Sequence, residues 1–233
     1  MDSHTLMQLL VWYVVFLFAT TMHEAMHSFA SAWGGDNTAY ASGQATLNPV
    51  PHIQRSPVGM VVVPLLSFFF SLYQYGTGFM IGWASAPFNP YWAARYPKRS
   101  FVMSLAGPLS HLLPTALSFL FMYIGLRNGF FGYPDGDMFP VSGGGDSLSW
   151  SLALFLNIVF RLNLLLLIFN LMPLPPLDGS EVWYLFMKRE EDRLRWRHYA
   201  STYSFLGLLV AWKYFPEVYW PVYMYLQRVL YAV

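Results

Sequence analysis

Long apolar runs set the limits on what this chain can fold into. Polar segments, or segments rich in glycine and proline, separate six such runs, at residues 5–33, 57–83, 101–126, 148–172, 198–215 and 217–232. A helix rises about 1.5 Å per residue, so about 20 apolar residues cross the hydrocarbon core of a bilayer. Hydrophobic residues make up 56% of the chain and charged residues 11%, whereas soluble domains average about 25% charged. The sequence therefore predicts an all-α polytopic membrane protein, with the lipid bilayer as its surroundings.

The composition also excludes several kinds of chemistry. The net charge is +1, so no nucleic-acid partner is expected. The chain has no cysteine, which excludes disulfides, thiolate ligands and a cysteine nucleophile. Any metal must therefore be held by histidine, aspartate or glutamate. Residues 1–233 are expected to form one domain, with a core at 5–185 and a C-terminal helical hairpin at 198–232.

The second half of the first run carries an H-E-x-x-H motif at residues 23–27. On a helix, His23 and His27 lie one turn apart on the same face, with Glu24 beside whatever they hold. This pattern is typical of a zinc ion on two neutral imidazoles, with the glutamate taking a proton from the water that the metal activates. The alternative is a set of polar side chains hydrogen-bonded inside a helix bundle. Ionisable residues inside a membrane cost at least about 2.5 kcal/mol each, which favours a functional site.

A catalytic zinc ion needs a third protein ligand, and the best candidate is Asp178 in "FNLMPLPPLDGSEVW", residues 169–183. Prolines at 173, 175 and 176 must unwind the helix that precedes it. Unwound backbone at membrane depth is tolerated where it lines a protein cavity. The alternative is an ordinary proline-rich helix end at which Asp178 caps the next helix. Together with the first motif, the segment predicts one Zn²⁺ per chain.

Five motifs in this order resemble those of the site-2 protease family, the intramembrane zinc metalloproteases. They are "HEAMH", "GQATLNPVPHI", "GWASAPFNP", "SLAGPL" and "FNLMPLPPLDG". The resemblance covers nearly residues 20–185 and is to the compact members, without an inserted PDZ or appended CBS domain. It implies a site-2 protease-like helical core, with His23, His27 and Asp178 as zinc ligands and Glu24 as the catalytic base.

The resemblance also implies that Asn170 stabilises the oxyanion, while three other positions depart from the family pattern. His111 stands where the family usually has an asparagine after "AGP". Ser85 stands where lysine is more frequent, and Gln54 where aspartate is more frequent. His111 could still donate a hydrogen bond to substrate or water, or act as an extra ligand. These departures leave the zinc site intact and concern contacts with the substrate.

The activity that the resemblance implies is hydrolysis of peptide bonds in or near transmembrane segments of protein or peptide substrates. The stretch "YASGQATLN", residues 40–48, predicts a small β-hairpin at the membrane surface, whose edge could pair with an unwound substrate. One alternative is a non-catalytic relative that binds membrane helices without cutting them. Another is a metal-dependent membrane oxidase, which is disfavoured because the chain has only six histidines and the four outside the pair are scattered singly.

The metal site also constrains the topology. If all four runs before residue 172 crossed the bilayer, the first and fourth would be antiparallel, and His23 and Asp178 would face opposite leaflets. One run must therefore not cross. The run at 57–83, interrupted by Pro64 and two glycines, is predicted to be a re-entrant hairpin, which leaves about five spans. Positive residues concentrate in the loops on the active-site side, so we expect a multi-pass protein of the cell membrane with that side in the cytoplasm and the N-terminus outside.

Overall fold

The computed structural model describes residues 2–134, 139–144 and 146–232. The α-helices of this part of the chain are α1 (Ser3–Gly34), α2 (Thr38–Ala41), α3 (Pro49–Arg55), α4 (Val63–Tyr75), α5 (Pro90–Arg95), α6 (Pro97–Ser110), α7 (Leu112–Arg127), α8 (Ser147–Asn170), α9 (Glu190–Thr202) and α10 (Ser204–Tyr231). A π-helical segment at Val58–Val62 leads into α4, and a 3-10 helix at Asp178–Leu185 follows α8. Strands β1 (Phe131–Gly132) and β2 (Ser142–Gly143) pair antiparallel between α7 and α8. The prediction of an essentially helical protein is confirmed.

Among the described residues, four helical segments are long and apolar enough to cross a membrane. They are Ser3–Gly34, Val58–Tyr75, Pro97–Arg127 and Ser147–Asn170. The third consists of α6 and α7, which are separated by a turn at His111. Helix α10 has 28 residues but is not in this group. The count of about five spans therefore stays a prediction.

The segment at 57–83 turns back on itself, as the hairpin prediction requires. After α4 the chain reverses and returns beside the helix, where the amide of Trp83 donates to the carbonyl oxygen of Gly59 at 3.1 Å. A Cβ atom at Gly59 would lie 2.2 Å from the Trp83 carbonyl oxygen, so glycine is what permits this close approach. The hydroxyl oxygens of Ser56 and Ser85 are 3.4 Å apart. The segment thus begins and ends at the same end of the bundle.

Helix α8 is the centre of the packing. On one side, its Ile158 packs in an apolar cluster with Phe16 of α1 and Phe68 of α4. On the other, its Phe160 packs with Met122 of α7 and with aromatic residues of α10. Helix α1 in turn packs closely against α6. The C-terminal half of α1 and the segment that follows α8 are thereby brought to the same region.

The β-hairpin predicted at residues 40–48 was wrong. Residues 38–41 form α2, and turns follow up to Asn48. The Asn48 side chain accepts a hydrogen bond from the Val50 amide at 3.0 Å, and Pro49 occupies the first turn of α3. These are strong helix-start signals, and they outweigh the weak alternation of small and polar residues. The strands that do form lie in the loop between α7 and α8.

The C-terminal helical hairpin predicted at 198–232 was also wrong. Helix α10 runs without reversal from Ser204 to Tyr231, through Pro216 and Pro221. Phe215 and Tyr219 stack at 5.2 Å between ring centroids, and Tyr219 and Tyr223 at 5.7 Å. Side chains four residues apart form one such stripe only on a continuous helix. Packing of this aromatic stripe in the cluster with α8 therefore favours a single helix over two antiparallel ones.

Candidate metal centre

Three side chains predicted to bind metal converge in the structure. The Nε2 atoms of His23 and His27 lie 2.9 Å apart. Oδ2 of Asp178 lies 3.0 Å from the first and 3.4 Å from the second. A tetrahedral zinc ion with bonds of about 2.0–2.1 Å places its ligand atoms about 3.3 Å apart. These three separations are those expected of ligands that share one ion, although the residues come from the two ends of the core.

The chemistry of the three donors also fits a cation. Nδ1 of His27 lies 2.8 Å from the carbonyl oxygen of Met103, which can only accept, so this nitrogen carries the hydrogen and Nε2 keeps its lone pair. Oδ2 of Asp178 is buried and accepts no hydrogen bond, which is costly unless a cation serves it. A metal ion at this place would satisfy that oxygen and would take the carboxylate in its ionised form.

Helix α6 holds the centre from behind. The Ser104 hydroxyl donates to the carbonyl oxygen of Asp178 at 2.9 Å, which fixes the start of the 3-10 helix. One turn further on, a Cβ atom at Gly107 would lie 2.3 Å from Nε2 of His27 and 2.8 Å from Nε2 of His23. Only glycine lets the helix pass this close to the two imidazoles, which gives the "SLAGPL" motif a physical reason.

Glu24 lines a cleft of about 460 Å³ next to the metal-binding side chains. Glu24 is only 7% exposed. The walls of the cleft come from α1, the extended segment that follows the re-entrant hairpin, α6, the unwound segment before Asp178, and α9. His27 and Asp178 line the same space. A prospective base and two prospective ligands therefore face one cavity large enough for several peptide units.

Two other residues predicted to act in catalysis do not reach this cleft. His111 is fully buried, and its Nε2 lies 3.0 Å from Nδ1 of His23, on the other side of that ring from the metal-binding nitrogen. Asn170 donates from Nδ2 to the carbonyl oxygen of Leu166 at 3.0 Å. Neither lines the cavity, whereas Ser85 does. The oxyanion role of Asn170 and the substrate role of His111 stay predictions.

Sequence reasoning missed the part that α9 plays. The charged stretch "KREEDRLRWRH", residues 188–198, on its own suggests only a solvated turn, but in the structure Trp196 and Arg197 line the cleft. Arg197 pairs with Glu181 at 2.5 Å and donates to the Tyr184 hydroxyl at 2.8 Å. Burial raises the pKa of Glu181, and the guanidinium of Arg197 opposes that rise. Arg193 and Arg197 are four residues apart, so on a helix they lie on the same face. This spacing was a signal that one face of α9 contacts the rest of the protein.

A comparison with curated proteins finds a similar chain in Bacillus subtilis (strain 168), named "Putative zinc metalloprotease YwhC". The two are 30% identical over 170 residues, which are 72% of this chain and 65% of that protein. The chain thus spans less than two thirds of the relative's length. No protein-family model matches the chain, and no solved structure matches it. The chain is similar in sequence to a protein named for zinc-dependent proteolysis.

Proposed function

We propose that this chain is a zinc-dependent metalloendopeptidase of the site-2 protease type, which hydrolyses peptide bonds in or near the transmembrane segments of membrane proteins. The observation that carries the proposal is the convergence of His23, His27 and Asp178, with donor atoms within 3.4 Å of one another, at a cleft that Glu24 also lines. The name of the Bacillus subtilis relative supports the same chemistry.

The residues around the cleft divide the work of hydrolysis. When bound by His23, His27 and Asp178, zinc would supply Lewis-acid activation of a water molecule and of the scissile carbonyl. Glu24, one residue from the first ligand and outside the ligand group, would accept a proton from the attacking water and return it to the departing amine. The burial of Glu24 and of His23 keeps bulk water away from these steps.

The position of the cleft beside an apolar helix favours a membrane-embedded substrate. Glu24 and His27 lie in the C-terminal half of α1, a helix long and apolar enough to span a bilayer. A transmembrane helix hides its peptide bonds in hydrogen bonds, so the substrate segment must unwind before a carbonyl can enter the cleft. The expected partners are therefore transmembrane proteins or peptides whose helices unwind locally.

Zinc content together with cleavage tests this function. The full chain, purified and reconstituted in lipid vesicles with a single-span test peptide, is expected to hold one zinc ion and to cut the peptide in or near its span. A chelator should abolish cleavage, and added zinc should restore it. Bound zinc without cleavage across a panel of test peptides would favour a non-catalytic helix-binding protein. Bound iron would favour the oxidase.

The orientation in the membrane is part of the proposal. Arg55, Arg95, Lys98 and Arg99 lie in or next to the connections between candidate spans on the side of the metal centre, and Arg127 borders the connection on the opposite side. Positive residues mark the cytoplasmic side, so the active site would face the cytoplasm and the N-terminus the outside. Reporter fusions in loops 35–56 and 84–96 should both report cytoplasm. Reporters on opposite sides would contradict both the orientation and the hairpin.

A further inference from the structure

A short chain of buried polar side chains lies behind His23, outside the cleft. Nε2 of His111 is 3.0 Å from Nδ1 of His23, and Nδ1 of His111 is 2.8 Å from Oδ1 of Asn163. His111 and Asn163 are 0% and 1% exposed, and neither lines the cleft. Polar groups buried this deeply need hydrogen-bond partners. These three side chains, from α1, the turn between α6 and α7, and α8, satisfy one another.

The direction of each hydrogen bond follows from Asn163, the last of these three side chains. Nδ2 of Asn163 donates to the carbonyl oxygen of Val159 at 2.8 Å, so Oδ1 faces His111. An amide oxygen only accepts, so Nδ1 of His111 carries the hydrogen. Nε2 of the neutral His111 then has a lone pair, which accepts from Nδ1 of His23. Nε2 of His23 is thereby left unprotonated, on the side where Asp178 lies at 3.0 Å.

The reverse direction is unfavourable for a definite reason. If the Asn163 amide were turned over, its oxygen would face the Val159 carbonyl, and two buried acceptors would meet without a hydrogen. His111 could then donate to Nδ1 of His23, and the hydrogen on His23 would move to Nε2, where it would block the metal. The cost of an unsatisfied buried amide oxygen, held against a carbonyl oxygen, selects the first arrangement.

We propose that His111 and Asn163 are positioning residues, which hold His23 in the tautomer and ring orientation that bind zinc. The other imidazole, His27, is held in the same way by a hydrogen bond to the backbone carbonyl of Met103. His23 depends instead on side chains, which substitution can remove. Partners of this kind typically change metal affinity by about 10–100-fold. The inference rests on the metal centre of the proposed function, but not on hydrolysis of peptides.

Zinc affinity of the purified full chain, measured by competition with a chelator, tests the inference. Asn163→Leu removes the oxygen that accepts the hydrogen bond from His111, and this change is expected to weaken zinc binding by about 10–100-fold. Asn157 offers a matched control on the same helix, because it is 3% exposed and both of its amide atoms bond to the backbone of Val141, at 2.7 and 3.1 Å. Asn157→Leu is expected to lose stability but keep the wild-type zinc affinity.

Two further comparisons separate positioning from general damage. His111→Leu should weaken zinc binding at least as much as Asn163→Leu. The double variant should bind zinc no more weakly than His111→Leu alone, because both changes break the same series of hydrogen bonds. His111→Gln keeps one donor and one acceptor and should bind zinc nearly as the wild type does. With cobalt in place of zinc, the visible spectrum should change in the leucine variants and not in Asn157→Leu.

Several results would overturn the inference. They are wild-type zinc affinity in Asn163→Leu, equal losses in Asn157→Leu, or additive losses in the double variant. If the leucine variants do not fold, His111→Gln still tests the inference. A tenfold loss of zinc affinity in that variant contradicts the positioning role, and wild-type affinity supports it. A wild-type chain that binds no zinc would instead overturn the metal centre itself, and with it the proposed function.

Discussion

Glu24→Gln is expected to lower the rate of peptide cleavage by about 10²–10⁴-fold while zinc stays bound. Glutamine has nearly the size of glutamate, but its amide cannot accept the proton of the attacking water, and a positioned base contributes about this factor. Glu24 lines the cleft and is not among the residues whose donor atoms converge. The measurement is cleavage of a single-span test peptide in lipid vesicles, with zinc content determined on the same preparation.

The control for this variant is Glu190→Gln, a change of the same chemistry at an exposed position at the start of α9. It should leave both the cleavage rate and the zinc content at wild-type values. Cleavage by Glu24→Gln at the wild-type rate would remove Glu24 from the reaction. Loss of zinc from that variant would show that the carboxylate helps to hold the ion.

Gly107→Ala is expected to empty the metal centre although no ligand is changed. The new Cβ atom would lie 2.3 Å from Nε2 of His27, far inside contact distance, and the backbone of α6 cannot yield because it packs along α1. The imidazoles must then turn away from Asp178. Imidazoles that have turned away no longer share one ion with Asp178, so we expect zinc content well below one ion per chain. A misplacement of about 1 Å costs on the order of 100-fold in rate, so we expect at least that loss of activity.

Helix propensity points in the opposite direction, which makes this variant informative. Alanine is better than glycine in a helix by about 1 kcal/mol, so weakening of α6 cannot explain a loss of zinc. Val102→Ala, at an exposed position on the same helix, should keep wild-type zinc content and activity. If Gly107→Ala binds zinc as tightly as the wild type does, the close approach of α6 to the two histidines is contradicted.

The ligand set could be predicted because local rules fix most of it. A spacing of four residues places His23 and His27 on one face of any helix. Ionisable side chains are costly inside a membrane, which favours a functional role for His23, Glu24 and His27. Asp178 followed from the proline-broken segment and from the resemblance, and the need for a shared side then predicted the hairpin at 57–83. The structure brings these elements together.

Predictions were wrong where weak local patterns competed with stronger ones. Around Asn48 and Pro49, helix-start chemistry outweighed an alternation of small residues. At Pro216, a break in hydropathy suggested a reversal, yet a proline removes only one backbone donor. The aromatic stripe of α10 keeps the helix continuous across it. In both cases the deciding interactions are specific contacts that a hydropathy profile does not contain.

The sequence by itself predicted the apolar surroundings, the helical architecture and the candidate metal-binding side chains, because apolar run length and residue spacing act within single segments. Only the tertiary structure decided what surrounds those side chains. Asn163 was visible as a polar residue in the most apolar run, but its partner depends on how α8 meets the turn at His111. The closeness of Gly107 to the imidazoles depends likewise on how α6 packs along α1. Such contacts join residues about 50 to 90 positions apart, and only packing between helices brings them together.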